Sequence, residues 1–265
     1  MPRARFPSFD QLLSSASRRR LASGRLRDLT THGDDAGRVW LGANLFDPGT
    51  SARCVRMLDR ELFPLCRVVS SGVPSRAALG LRQSHTETLP KAMRVRSAFL
   101  HPGTRAQRKA RELGILDFLD SDGLHRFAET VSGLRLVKGY GEQVLCYEAG
   151  DYVSPHTDHH PEIPELRDGY VDVHLMFSNR FVGPQFLGYE TRGHLGGTMD
   201  ISHPTAAAVY RLPFWHYTTP LVARPGTRGR PRRWILLASY APAGARRRGP
   251  SRRRHLAYGA STTGE

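Results

Sequence analysis

From Leu134 onward, apolar residues arrive in short alternating or continuous runs cut by Gly and Pro: LRLVKGY, QVLCYEAG, DYVSPH, YVDVHLMFS, AAAVYRL, HYTTPLV and RRWILLASY. Runs of this length with a period of two are strands. Several short strands, without long intervening helices or a repeat, predict a sandwich or jelly roll rather than a parallel α/β sheet. Upstream the period is helical. In FDQLLSSASRRRLASGRLRDL, Phe9, Leu12, Leu13 and Ala16 share one face opposite arginines, which predicts a short amphipathic helix. Residues 51–63, SARCVRMLDRELF, open on a capping serine and read as a second helix, and residues 121–131 as a third. The stretch between those two, with SSGVPS and LHPGTR, reads as loop-rich.

A chain of 265 residues is ample for one large domain. Its 39% hydrophobic content is globular, and without a long uninterrupted apolar stretch a membrane span is excluded. Cys54, Cys66 and Cys146 are too few and too irregularly spaced for a disulfide framework or a C-x-x-C zinc site, so a reducing, cytoplasmic setting is expected. The Arg- and Ser-rich N-terminus keeps organellar targeting open as the minority reading.

The net charge of +15 suggests nucleic acid until it is located. Residues 1–27 hold seven Arg and one Asp, residues 242–265 hold six Arg and one Glu, and the body between is left with +4. Such ends are ordinarily solvated tails, and nucleic-acid contact would run through them alone. The expected organisation is therefore an Arg-rich extension with a short helix (1–42), one folded domain (43–241) whose strand-rich core spans about 134–241, and a basic tail (242–265).

The chemistry concentrates in CYEAGDYVSPHTDHH. His156 and Asp158 are two residues apart on an expected strand, so both side chains point to one face, making two corners of a metal site. H-x-D alone is weak: His32 and Asp34 spell it too, and His85/Glu87 and His160/Glu162 spell its glutamate version, none after a convincing strand. A third ligand must come from a distant strand. His216 in LPFWHYTTPLV is preferred over His194, which lies among glycines, and His203, which precedes a proline.

The ordered set Y-x-x-G-D-Y-x-x-x-H-T-D, a later H-x-x-x-P and R-W-I-L-L-A-S-Y resembles the Fe(II)/2-oxoglutarate-dependent dioxygenase superfamily, in its prolyl-hydroxylase-like branch. The likeness covers residues 134–240 well and neither tail. It implies an α+β protein with a distorted double-stranded β-helix (jelly roll, cupin-like) core and supporting N-terminal helices. It further implies Fe(II) held by His156, Asp158 and His216, with 2-oxoglutarate and O2 as cosubstrates and ascorbate as an accessory reductant. By the same likeness Arg233 binds the distal carboxylate of 2-oxoglutarate and Tyr147 hydrogen-bonds it. The gap from His216 to Arg233 is longer than the family's, filled by ARPGTRGRP; either a loop bulges out there, which Pro225 and Gly226 favour, or Arg224 or Arg228 substitutes. Arg232 should face the other way.

The resemblance implies hydroxylation of an unactivated C–H bond, with release of succinate and CO2, on an amino acid, a peptidyl residue or a specialised metabolite. The protein would act as a monomer or homodimer. Tyr152, His159, His160, His174 and Asn179 are secondary candidates with ordinary structural explanations, and residues 71–113 and 180–200, with Phe181, Phe186 and Tyr189, are candidate lids. Two other classes stand beside this one: a cupin-like metal enzyme or binding module without 2-oxoglutarate, and a nucleic-acid binder working through its Arg-rich tails.

Overall fold

The computed structural model describes residues 5–34, 36–71, 92–160 and 163–244. Its helices are α1 (Phe9–Leu12), α2 (Ser15–Ala22), α3 (Pro48–Met57), α4 (Arg105–Glu112), α5 (Ile115–Leu119) and α6 (Asp122–Ser132). The strands are β1 (His32–Gly33), β2 (Val39–Gly42), β3 (Arg67–Ser71), β4 (Met93–Ala98), β5 (Leu136–Tyr147), β6 (Tyr152–His156), β7 (Tyr170–Ser178), β8 (Phe186–Thr191), β9 (His194–Asp200), β10 (Ala206–Leu212), β11 (His216–Thr218) and β12 (Arg233–Pro242).

All pairings are antiparallel, in the order β1-β2-β10-β7-β12-β5-β4-β6-β11-β8-β9, with β3 added to β4. The sheet turns over at β4, which pairs with β5 through Arg96, Ser97 and Ala98 and with β6 through Met93 and Arg94. Its two ends come back together: His32 Nε2 meets the Tyr189 hydroxyl, and the Arg38 guanidinium donates to the Glu190 carbonyl at 2.8 Å. The result is the jelly-roll, double-stranded β-helix with helices against one face.

Strand alternation sorts the core into two layers. On β7, Val171, Val173, Leu175 and Phe177 pack outward against the helices, while Tyr170 and Met176 face the barrel interior. On β12, Trp234, Leu236, Ala238 and Tyr240 face outward, and Ile235, Leu237 and Ala241 inward. The inner layer therefore lines the barrel interior, and polar residues at inward positions face it.

Several elements differ from the sequence expectation. The sheet recruits strands ahead of residue 134: β2 pairs with β10, and β4 joins the two halves, so the strand-rich core is not confined to 134–241. The loop-rich reading missed β3, β4, α4 and α5; in β4 Met93 and Val95 are buried while Arg94 is exposed, and arginines at the outward positions hid the alternation. Helix α3 is capped by Asp47, which accepts from the Thr50 N–H with Pro48 at the first position, and Ser51 is buried within the helix rather than capping it. The 180–200 lid is largely a paired hairpin, β8–β9, in which Tyr189 is buried and Phe186 is exposed. Much of the 71–113 lid and of the basic tail lies outside the described residues, as does the His85/Glu87 pair.

The N-terminal helix packs into the outer layer. Phe6, Phe9, Leu12 and Leu13 are buried there, with Phe9 tilted against Phe118 and Phe127. Ser8 forms a capping box with Gln11. The three cysteines are free, and no helix among the described residues is long and apolar enough to cross a membrane.

Candidate metal centre

His156 ends β6 and His216 begins β11, and the two residues are direct partners across the antiparallel pair. Their ring centroids are 4.1 Å apart. Each ring is oriented through its far nitrogen: His156 Nδ1 lies 2.6 Å from the Ser154 carbonyl and His216 Nδ1 2.9 Å from the Phe214 carbonyl. A carbonyl only accepts, so Nδ1 carries the proton and Nε2 presents its lone pair inward, the arrangement of a metal-ligating histidine.

Asp158 completes the group by a route the sequence did not show. The strand stops at His156, and Asp158 sits in the left-handed region with φ +52°, which swings its carboxylate back. Its Oδ2 lies 3.1 Å from His156 Nε2 and 3.4 Å from His216 Nε2. The Tyr170 hydroxyl donates to the Asp158 carbonyl at 2.8 Å and fixes the turn. The ligand atoms of His156, Asp158 and His216 all lie within 4.8 Å of one another. Two neutral imidazoles and one carboxylate suit a first-row divalent metal with open positions on its other face.

A second polar centre lies deeper in the chamber. Arg233 begins β12 opposite Tyr147 on β5 and is completely buried. Its Nε donates to Gln185 Oε1 at 2.7 Å, and its guanidinium lies over the Tyr147 ring, 4.5 Å from the centroid. Nη1 and Nη2 have no hydrogen-bond partner among the described residues. Burial pulls the Arg233 pKa below its usual value, while burial raises that of Tyr147, whose hydroxyl is engaged by the Thr218 side chain. A buried cation with two idle donors in a fixed fork is a receptor for a carboxylate.

Residues 219–232 run outside the strands, Arg224 and Arg228 are exposed, and β12 resumes at Arg233. Arg232 points to the opposite side, pairing with Asp59 at 3.3 Å over the Phe63 ring. His194 is exposed, His203 is half-buried and neither joins the group; His32 instead holds Tyr189. His159 Nε2 faces the Arg167 carbonyl, and Asn179 binds the 230–232 backbone. The Gly-Asp of the motif is a turn: Gly150 has φ +82° and Asp151 accepts from the Glu148 N–H. Gln185 was missed by the sequence reading. It sits in no motif, yet it is fully buried, accepts from Arg233 and donates to the Thr219 carbonyl at 2.9 Å.

No family model and no curated protein matches the sequence. Among solved structures, the chain is similar to the non-heme alpha ketoglutarate dependent epimerase SnoN from nogalamycin biosynthesis, at 12% identity over 86% of this chain and 84% of that one, with a TM-score of 0.49. It is also similar to a Pseudomonas putida prolyl-4-hydroxylase, at 14% identity over 84% and 99% of the two chains, TM-score 0.36. A third likeness is to EvdO2 from Micromonospora carbonacea var. aurantiaca complexed with 2-oxoglutarate, at 12% identity over 84% and 97%, TM-score 0.40.

Proposed function

We propose that the protein is an Fe(II)- and 2-oxoglutarate-dependent oxygenase that hydroxylates an unactivated C–H bond of an amino acid, a peptidyl residue or a specialised metabolite. The observation that carries the reading is Arg233, a buried guanidinium with both Nη groups unpartnered, in the same barrel as a His-Asp-His cluster. A metal site alone would fit many cupin-like proteins; a metal site with an idle carboxylate receptor behind it fits a cosubstrate that must reach both.

On this reading His156, Asp158 and His216 hold the iron, and Arg233 takes the distal carboxylate of 2-oxoglutarate with Tyr147 beside it. Iron with 2-oxoglutarate supplies O2 activation coupled to decarboxylation, giving succinate and CO2 while the substrate is oxidised. The protein's work is orientation. The Ser154 and Phe214 carbonyls keep both imidazoles in the ligating tautomer. Gln185 holds the guanidinium plane, and the inner apolar layer of Met93, Val95, Ile235 and Leu237 excludes water around the charged groups.

The test is turnover of 2-oxoglutarate to succinate by the purified protein, with Fe(II) and ascorbate, beside His216→Ala and Asp158→Ala. Slow metal-dependent succinate release that both variants abolish is expected. Metal binding with no dependence on 2-oxoglutarate would overturn the proposal in favour of another kind of metal protein.

A further inference from the structure

The chamber carries charge at both ends, and the charges are opposite. Moving along β12 away from Arg233, the inward positions are Ile235, Leu237 and Ser239, and their partners on β7 are Met176, His174 and Asp172. Tyr210 of β10 flanks Asp172 on its other side. Asp172 is thus six residues along the wall from Ser178, the partner of Arg233. It belongs to the same chamber as the His-Asp-His cluster: the His174 ring is 4.6 Å from the Tyr210 ring, which is 6.0 Å from the His216 ring.

Asp172 is buried, and no group among the described residues neutralises it. Ser239 Oγ donates to its Oδ1 at 2.6 Å, and His174 Nε2 lies 3.9 Å from its Oδ2. No Lys or Arg among the described residues pairs with it. Burial holds the His174 pKa below the usual imidazole range, so that ring is neutral at neutral pH. In a chain of net charge +15, a carboxylate kept inside the barrel, between a hydroxyl and a neutral imidazole, awaits a positive group from outside.

We infer that Asp172, with Ser239 and His174, forms the substrate anchor, a subsite for a cationic nitrogen (a primary ammonium or a guanidinium) on a small-molecule substrate whose reactive carbon lies toward the metal cluster. The inference rests on the oxygenase reading and narrows it to basic substrates. The opposed charges also sort the two ligands. Arg233 attracts the dicarboxylate and Asp172 repels it, so the cosubstrate is not drawn into the substrate subsite.

Anaerobic Fe(II)- and 2-oxoglutarate-loaded protein should be titrated with matched probes in which the cation is the only difference, n-butylguanidine against n-butylurea and n-pentylamine against 1-pentanol, following the visible band of the chelate. For at least one pair the cationic member should bind about ten- to a hundredfold tighter, as expected for a charge-assisted hydrogen bond, and Asp172→Asn should erase that preference. The chelate should still form in the variant, which reports an intact fold. A preference that survives in Asp172→Asn, neutral probes that bind as well as cationic ones, or a chelate that no cationic probe perturbs would each overturn the inference alone. Failure of the wild type to form the chelate would overturn the oxygenase reading, and this inference with it.

Discussion

Replacing Arg233 by Met removes the guanidinium while keeping most of its volume, and affinity and stability should respond in different ways. If Nη1 and Nη2 each donate to the distal carboxylate, two charge-assisted hydrogen bonds are lost, about 1.5–3 kcal/mol apiece. Together that is roughly 3–6 kcal/mol, or about two to four orders of magnitude in the Kd for 2-oxoglutarate. Without ligand the arginine is a burden, because its charge is fully desolvated and paired only by Gln185 Oε1 and the Tyr147 face. Swapping a buried charge for an apolar side chain commonly stabilises by about 1–4 kcal/mol, whereas the orphaned Gln185 oxygen costs about 1–3 kcal/mol. The ligand-free variant should therefore unfold within about 3 kcal/mol of the wild type, in either direction. Calorimetric titration of Mn(II)-loaded protein with 2-oxoglutarate measures the first quantity, and urea denaturation of the ligand-free protein the second. The reasoning is refuted if affinity falls by less than about tenfold, or if the ligand-free protein loses more than about 4 kcal/mol, the behaviour of a purely structural arginine.

Three further outcomes are expected. Leu12→Ala, in the N-terminal helix, should cost about 2–5 kcal/mol by urea denaturation, because Leu12 is fully buried in the outer layer; a negligible cost would mean that the extension is dispensable to the core. Burial pushes the Cys54 and Cys66 thiols up to about 12, so neither should react with iodoacetamide at pH 7.5 in the native state, and mass spectrometry should find all three cysteines modified only after denaturation. His174 has its folded pKa lowered by burial, so the unfolded chain takes up that proton first and stability falls as pH drops below 6.5; in His174→Gln the metal-free melting temperature should depend less on pH between 7 and 5.

The legible parts of this fold are those where apolar residues run or alternate over strand length. YVDVHLMFS alternates in part and RRWILLASY is a continuous apolar run, which places β7 and β12, and with β12 comes Arg233 at its first inward position. His156 and His216 were marked by strand context, and their cross-strand pairing makes them neighbours. The convergence of Asp158 was expected for the wrong reason. Alternation along a strand predicts it, but a left-handed Asp158 after the strand end produces it, and backbone sign is not written in an H-x-D motif. Strand β4 was hidden because its outward arginines made it look like the polar loops around it, and β2 because four residues are too few to show a period. Gln185 was beyond reach, since its role depends on a fold that brings it to Arg233 across 48 residues of chain. Asp172 and Ser239 meet only through the register of β7 against β12, which no motif in either strand announces.

The central claim is that one chamber holds a metal at His156, Asp158 and His216 and a dicarboxylate between that metal and Arg233. Anaerobic titration of metal-free protein with Fe(II), then with 2-oxoglutarate, tests it most directly, read as the weak visible charge-transfer band that appears only when 2-oxoglutarate chelates iron. The account predicts the band in the wild type, its loss in His156→Ala, and in Arg233→Met its appearance only at far higher 2-oxoglutarate. A folded, iron-loaded wild type that shows no band at saturating 2-oxoglutarate would contradict it.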